Sequence, residues 1–386
     1  MYLRIILQIM PDKKIQMVDL KGQYDKIKTD VDSAIQEVID SSSFIKGAAV
    51  KKFQAELENY MNVKRVIPCA NGTDALQVAL MGLDFKAGDE IITTPFTFIA
   101  TIEVIHLLGM KPVLADIDPH TFNINPDEIK KVITSKTRGI IPVHLFGQCA
   151  DMDEIMKIAK DYNLKIIEDT AQAIGASYTF KDGRKAKAGT IGNIGTTSFF
   201  PSKNLGAFGD GGAVFTEDEE LAEKLAAMVN HGMKRRYYYD YVGVNSRLDT
   251  LQAAILSVKL KYLDSYNRAR QKAAGFYDAA FQSIDQIKIP FRNTDSEHIF
   301  HQYTLKIKDG NRDALKGYLN KKDIPAMIYY PVGLHLQDAY RNIGYSKGDF
   351  PVTEQICTEV ISLPMHTELD EQQLEYITQS VIHFFE

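Results

Sequence analysis

Only three cysteines occur in the 386 residues, Cys69, Cys149 and Cys357. Their odd number and wide spacing exclude a disulfide framework and the paired ligands of a zinc site, and they point to a reducing, cytoplasmic compartment. An excess of positive charge is missing as well. The net charge is −5 and lysines alternate with acids, so no basic field for nucleic acid exists and any phosphate pocket must be local. Long hydrophobic runs are missing too: Met1 to Met10 is apolar, but Arg4 and Gln8 interrupt it and no small-residue cleavage site follows. That argues against a signal peptide and a membrane span, leaving an extra strand or a frayed tail as the expectation for Met1 to Met10, within an extra N-terminal segment over 1–16. No Gly-x-Gly-x-x-Gly follows the first strand and no Gly-x-x-x-x-Gly-Lys is present, which argues against dinucleotide oxidoreductases and P-loop enzymes.

What is present is an alternation of amphipathic segments with short apolar runs from about Asp19 to Ser257, the pattern of a mainly parallel sheet with helices on its faces. Seven strands are predicted: Arg65 to Cys69, Glu90 to Thr94, Pro112 to Ile117, Gly139 to His144, Lys165 to Glu168, Gly195 to Phe200 and Gly212 to Thr216. Acidic residues open the helices that follow Asp151 and Asp218, where they suit the positive helix end. A long helix, Asp249 to Tyr266, then leads into a smaller α+β unit with a strand at Gln302 to Ile307, a helix at Arg312 to Lys321 and a strand at Ala326 to Tyr330. The expected division is a large domain over 1–260 and a small one over 261–386.

Chemistry gathers at the carboxyl ends of the predicted strands, where sheets of this type bind ligands. Lys203 follows an apolar strand and precedes the small residues Gly206, Ala207, Gly209, Gly211 and Gly212. Its apolar flank lowers the amine pKa and favours nucleophilic chemistry. A second strand delivers Asp169. Asn71 caps a helix whose first amides, at Gly72 and Thr73, face an anion. An exposed helix end contributes only ~0.3–1 kcal/mol per charge, so the hydroxyls of Thr73, Ser198 and Ser202 are the natural added donors. Phe98 follows the second strand and can stack on a flat heterocycle. A stacked ring, a held phosphate, a carboxylate and an amine together describe pyridoxal phosphate. His298 and His301, beside a strand, are read as packed side chains and left out of the catalytic set.

The turn Asn71 to Leu76, the runs Pro95 to Thr101, Pro142 to Gln148, Glu168 to Gln172 and Ser198 to Gly212, and the run Gly243 to Asp249 resemble the DegT/StrS family of nucleotide-sugar aminotransferases over nearly the whole chain from about Met17. The resemblance implies the fold type I architecture of pyridoxal phosphate enzymes. In it Lys203 would bind the cofactor covalently, Asp169 pair with its ring nitrogen, Gln172 lie against the ring and Phe98 stack on the other face. Gly72, Thr73 and Ser198 would hold the phosphate with Asn245 of a neighbouring subunit, which makes a homodimer the expected assembly. Arg247, Tyr330 and His335 would line the sugar pocket.

The implied reaction passes an amino group from glutamate, through pyridoxamine phosphate, to a keto group of a UDP- or dTDP-linked sugar for cell-surface polysaccharide. C3 is the favoured position and C4 the alternative. A relative with histidine in place of the lysine removes a sugar hydroxyl instead, so Lys203 favours transamination. A rival from another class is a non-catalytic sensor that keeps fold and cofactor. No metal is called for.

Overall fold

The computed structural model describes residue 11 and residues 13–386. The expected strand or tail at Met1 to Met10 thus lies outside the described residues. The segment after it is fastened down: Ile15 is buried, the Lys14 carbonyl accepts from Gln373 and the Met17 carbonyl from the Met365 amide.

Seven strands form the main sheet: β1 (Arg65–Cys69), β2 (Glu90–Thr93), β3 (Lys111–Leu114), β4 (Thr137–Ile140), β5 (Lys165–Asp169), β6 (Ile194–Ser198) and β7 (Gly212–Thr216). Their order across the sheet is β1-β7-β6-β5-β4-β2-β3. All neighbours run parallel except β7, which is antiparallel to both β1 and β6. Isoleucine and valine on both faces of these strands are buried under helices, as the near-continuous apolar runs require. The Asp151 side chain caps the helix Met152–Asp161 and Asp218 caps Glu219–Met228, each accepting a backbone amide three residues on.

A second, three-stranded antiparallel sheet follows: β8 (Ile287–Lys288), β9 (Tyr303–Ile307) and β10 (Val360–Leu363), with a core of its own around Tyr277, Phe281, Tyr303, Leu315 and Ile377. Two sequence expectations need correction here. The long helix at 249–266 is two helices, Thr250–Leu260 and Leu263–Phe281. At their junction the Tyr262 amide bonds back three residues to Lys259, a tight turn that ends the first. The strand expected at Ala326 to Tyr330 is a single bridge, in which Met327 and Ser362 exchange both backbone hydrogen bonds, and Pro331, with no amide to donate, cannot extend the pairing. The third strand of this sheet is instead β10, which carries no alternation because both its faces are buried.

Gly344-Tyr345-Ser346-Lys347-Gly348 has the spacing of a hydrolase nucleophile elbow. It lies in turns with no strand before it, and the Ser346 amide is bound to Asp349, so it lacks the strand-turn-helix context of such an elbow. Among the described residues no helix is long and apolar enough to cross a membrane.

Candidate active site

The carboxyl ends of β2, β4, β5 and β6 and the turn after β1 open into one cavity of about 460 Å³, within the usual range for small-molecule sites. Asn71 ends that turn with its side chain accepting the Asp74 amide at 2.8 Å, starting the helix Gly72–Gly82. Only glycine fits at 72: a Cβ there would lie 2.6 Å from Ser198 Cβ. Gly72, Thr73, Ser198 and Ser202 line the cavity together, and the free first amides of the helix with these small hydroxyl side chains make a cradle for an anion.

At the end of β5 two consecutive carboxylates take opposite faces, as a strand's period of two dictates. Glu168 turns away from the cavity. It accepts the amides of Gly189, Ile191 and Gly192 at 2.9, 2.7 and 2.6 Å and His144 Nε2 at 2.9 Å. The Ala150 amide donates to His144 Nδ1, so Nε2 carries the proton given to Glu168. Asp169 turns into the cavity, where Thr101 Oγ1 donates to it at 3.0 Å and the Ala171 amide at 3.1 Å. Burial pushes the Asp169 pKa up, against the pull of those two donors and of the Lys203 charge. Such a carboxylate gains from a cationic ring nitrogen placed beside it.

Lys203 lines the same cavity in the turn after β6. Burial lowers its pKa to about 8, with Asp169 opposing the shift, so about a tenth of the amine is free and nucleophilic at pH 7, far more than for an exposed lysine. Gln172 is held at both ends of its amide: Oε1 accepts the Phe146 amide at 2.8 Å, and Nε2 donates to Tyr330 Oη at 3.1 Å. Phe98, 56% exposed, stands at the mouth with a free ring face. The amine, the buried acid, the anion cradle and the open aromatic face fit pyridoxal phosphate.

Of the residues picked from sequence, Gly72, Thr73, Phe98, Asp169, Gln172, Ser198, Lys203 and Tyr330 share this cavity. Three do not. Asn245 is exposed, in a ribbon where it bridges to Asn230. Arg247 sits on that ribbon with its Nη1 3.5 Å from Asn230 Oδ1 and its Nε buried without a partner. His335 is buried against Phe350, with Nε2 3.1 Å from Glu354. Sequence reasoning missed Thr101, His144 and Glu168, although all three stand inside quoted motifs. It also set aside two histidines that part company here: His298 is packed flat on Phe300, whereas His301 lines the cavity with Gln302 and Tyr329.

The model of the DegT/DnrJ/EryC1/StrS aminotransferase family matches residues 25–382. The chain belongs to that family. Among curated family members it is 45% identical to the pleiotropic regulatory protein of Geobacillus stearothermophilus, covering 96% of this chain and 98% of that one. It is 43% identical to the UDP-2-acetamido-2-deoxy-3-oxo-D-glucuronate aminotransferase of Pseudomonas aeruginosa, over 94% and 98% of the two chains. Among solved family structures, S. venezuelae DesV in complex with a ketimine intermediate superposes with a TM-score of 0.93 at 36% identity, over 97% of this chain and 99% of that one. NtdA of Bacillus subtilis, with bound cofactor PMP, gives a TM-score of 0.89 at 30% identity, over 98% and 86%. The mainly parallel seven-stranded sheet with its flanking helices is thus the fold of the DegT/DnrJ/EryC1/StrS aminotransferases.

Proposed function

We propose that this protein is a pyridoxal-phosphate-dependent aminotransferase that moves an amino group from glutamate to the C3 keto group of a UDP- or dTDP-linked sugar. The observation that carries the reading is the pairing, in one cavity, of a buried amine of lowered pKa with a buried carboxylate that sits beside an anion cradle. Curated relatives at 36–43% identity are named as aminotransferases or transaminases of UDP- and dTDP-sugars, and several of those names specify the 3-position. A regulator that kept the cofactor would keep the same amine and acid, so turnover of a keto sugar is the property that separates the two readings.

Gly72, Thr73, Ser198 and Ser202 would hold the cofactor phosphate, Phe98 would cover one ring face, and Gln172 would be fixed beside it by Phe146 and Tyr330. When bound, the cofactor supplies an electron sink and carries the amine between two half-reactions, which makes the kinetics ping-pong. Asp169 would keep a proton on the ring nitrogen by offering a desolvated negative charge. Lys203 would hold the cofactor by condensation of its amine with the aldehyde carbon, releasing water, and once displaced by the donor amine its freed Nζ would move a proton from the donor's α carbon to the carbon that bore the aldehyde. Its free fraction near neutral pH suits both directions of transfer. In the holoenzyme, unlabelled keto sugar with ¹⁵N-glutamate yields ¹⁵N-amino sugar, read by mass spectrometry. No incorporation into any UDP- or dTDP-linked keto sugar, C3 or C4, sinks the reading.

Asn245 bears on assembly. It is exposed and lies off its own chain's cavity, while Phe98 and Phe200 leave apolar surface at the cavity mouth. A homodimer in which Asn245 and Arg247 complete the partner's site accounts for both. Mixing inactive Lys203→Ala and Asn245→Ala proteins then builds hybrids with one intact site, restoring about a quarter of wild-type activity after equal mixing and re-equilibration. A mixture that stays as inactive as its components shows that Asn245 serves its own chain.

A further inference from the structure

We propose that His301 Nε2 reads a hydrogen-bond donor on the sugar carbon next to the one that receives the amine, a hydroxyl or an acylamino N–H; this rests on the nucleotide-sugar reading above. His301 enters the cavity from the segment leading into β9 and is 5% exposed. Its orientation is over-determined. Asn204 Nδ2 donates to Asn267 Oδ1 at 2.8 Å and to the Ile299 carbonyl at 3.3 Å, which turns Asn204 Oδ1 toward the imidazole. Oδ1 can only accept, so His301 Nδ1, 3.2 Å away, is the nitrogen that carries the proton. Nε2 is left with a lone pair and no hydrogen-bond partner among the described residues. It is also not sealed among protein atoms, in contrast to the unpartnered nitrogens of His335 and His366, so its one outlet is the cavity. Burial and the charges of Lys203 and Arg270 hold the imidazole pKa well below its ordinary value, which preserves the lone pair at neutral pH.

The position of the donor follows from Lys203. The Lys203 and His301 side chains line the same cavity, and Asn204, which fixes the ring, is the neighbour of Lys203 in the chain. The Lys203 amine must reach the reacting carbon, so the groups first met by Nε2 are those on the flanking carbons. A sugar lacking a donor there leaves a buried acceptor unpaired, and such sites discriminate by rejection as much as by attraction.

The test compares kcat/KM for a keto-sugar nucleotide with the values for two analogues, one without the adjacent hydroxyl and one without the acylamino N–H. Wild type should disfavour one of them by ~10–100-fold, and which one identifies the donor. His301→Phe keeps a planar ring but no lone pair, so its preference should collapse to near unity. Asn204→Leu removes the acceptor that keeps the proton on Nδ1, so ring orientation and tautomer are freed and the preference should fall partway towards unity. Calorimetric titration of the three proteins with the matching amino-sugar nucleotides gives the same comparison where turnover is lost. A preference that survives in His301→Phe, or wild type that discriminates against neither analogue, overturns the inference alone. Wild type that turns over no keto sugar overturns the functional reading and this inference with it.

Discussion

Lys203→Ala removes transamination, with kcat falling by at least ~10²–10⁴-fold, the share that a positioned acid–base group supplies. The expectation rests on the cavity wall, where Lys203 is the single lysine among the lining residues and no neighbour can take its place. Its low pKa comes from burial, so an amine added from solution has neither its desolvation nor its proximity. The same substitution separates binding from bonding. After borohydride reduction, intact wild-type protein should gain the mass of the reduced cofactor and the variant should not, even when the anion cradle still retains it. Turnover of any keto sugar at more than a hundredth of the wild-type rate by Lys203→Ala contradicts the assigned role.

Asp169→Asn comes second, with an expected loss of ~10²–10³-fold in kcat, comparable to deleting one preorganised electrostatic partner. The amide preserves the shape and can still accept from the Ala171 amide, but it cannot hold a proton on a ring nitrogen. Stability should move the other way. A carboxylate whose folded pKa is raised favours the folded state less as pH climbs from its unfolded value of ~3.9 through the folded one, so above that window the buried charge is a net cost. Cofactor-free Asp169→Asn should therefore melt no lower than wild type at neutral pH while its activity collapses. A variant that melts well below wild type would mean that the carboxylate serves the fold rather than the chemistry.

Much of this site was legible because each cavity residue from β1, β2, β5 and β6 follows its strand within a few positions. Strand ends are marked by apolar runs meeting glycine, proline or polar residues, and β1 and β7 begin and end where the pattern says they do. Lys203, Asp169 and Gly72 could be placed at one edge without knowing the strand order. Residues that arrive by long connections could not be placed that way. His301 reaches the cavity from the second core, about a hundred positions after Lys203, and nothing in Glu297 to Tyr303 separates it from the packed His298. The break near Lys261 was hidden for a different reason: residues on both sides have helical propensity, and the tight turn between them needs neither glycine nor proline.

The adjacency of Glu168 and Asp169 makes β5 a parity device. Losing or gaining one residue upstream within that strand would flip the faces of both acids, turning Asp169 away from the cavity and Glu168 onto the cavity side. The chemistry of this enzyme is consequently indexed to an even or odd count along five residues, and an insertion harmless in a surface loop would there exchange scaffold and reagent.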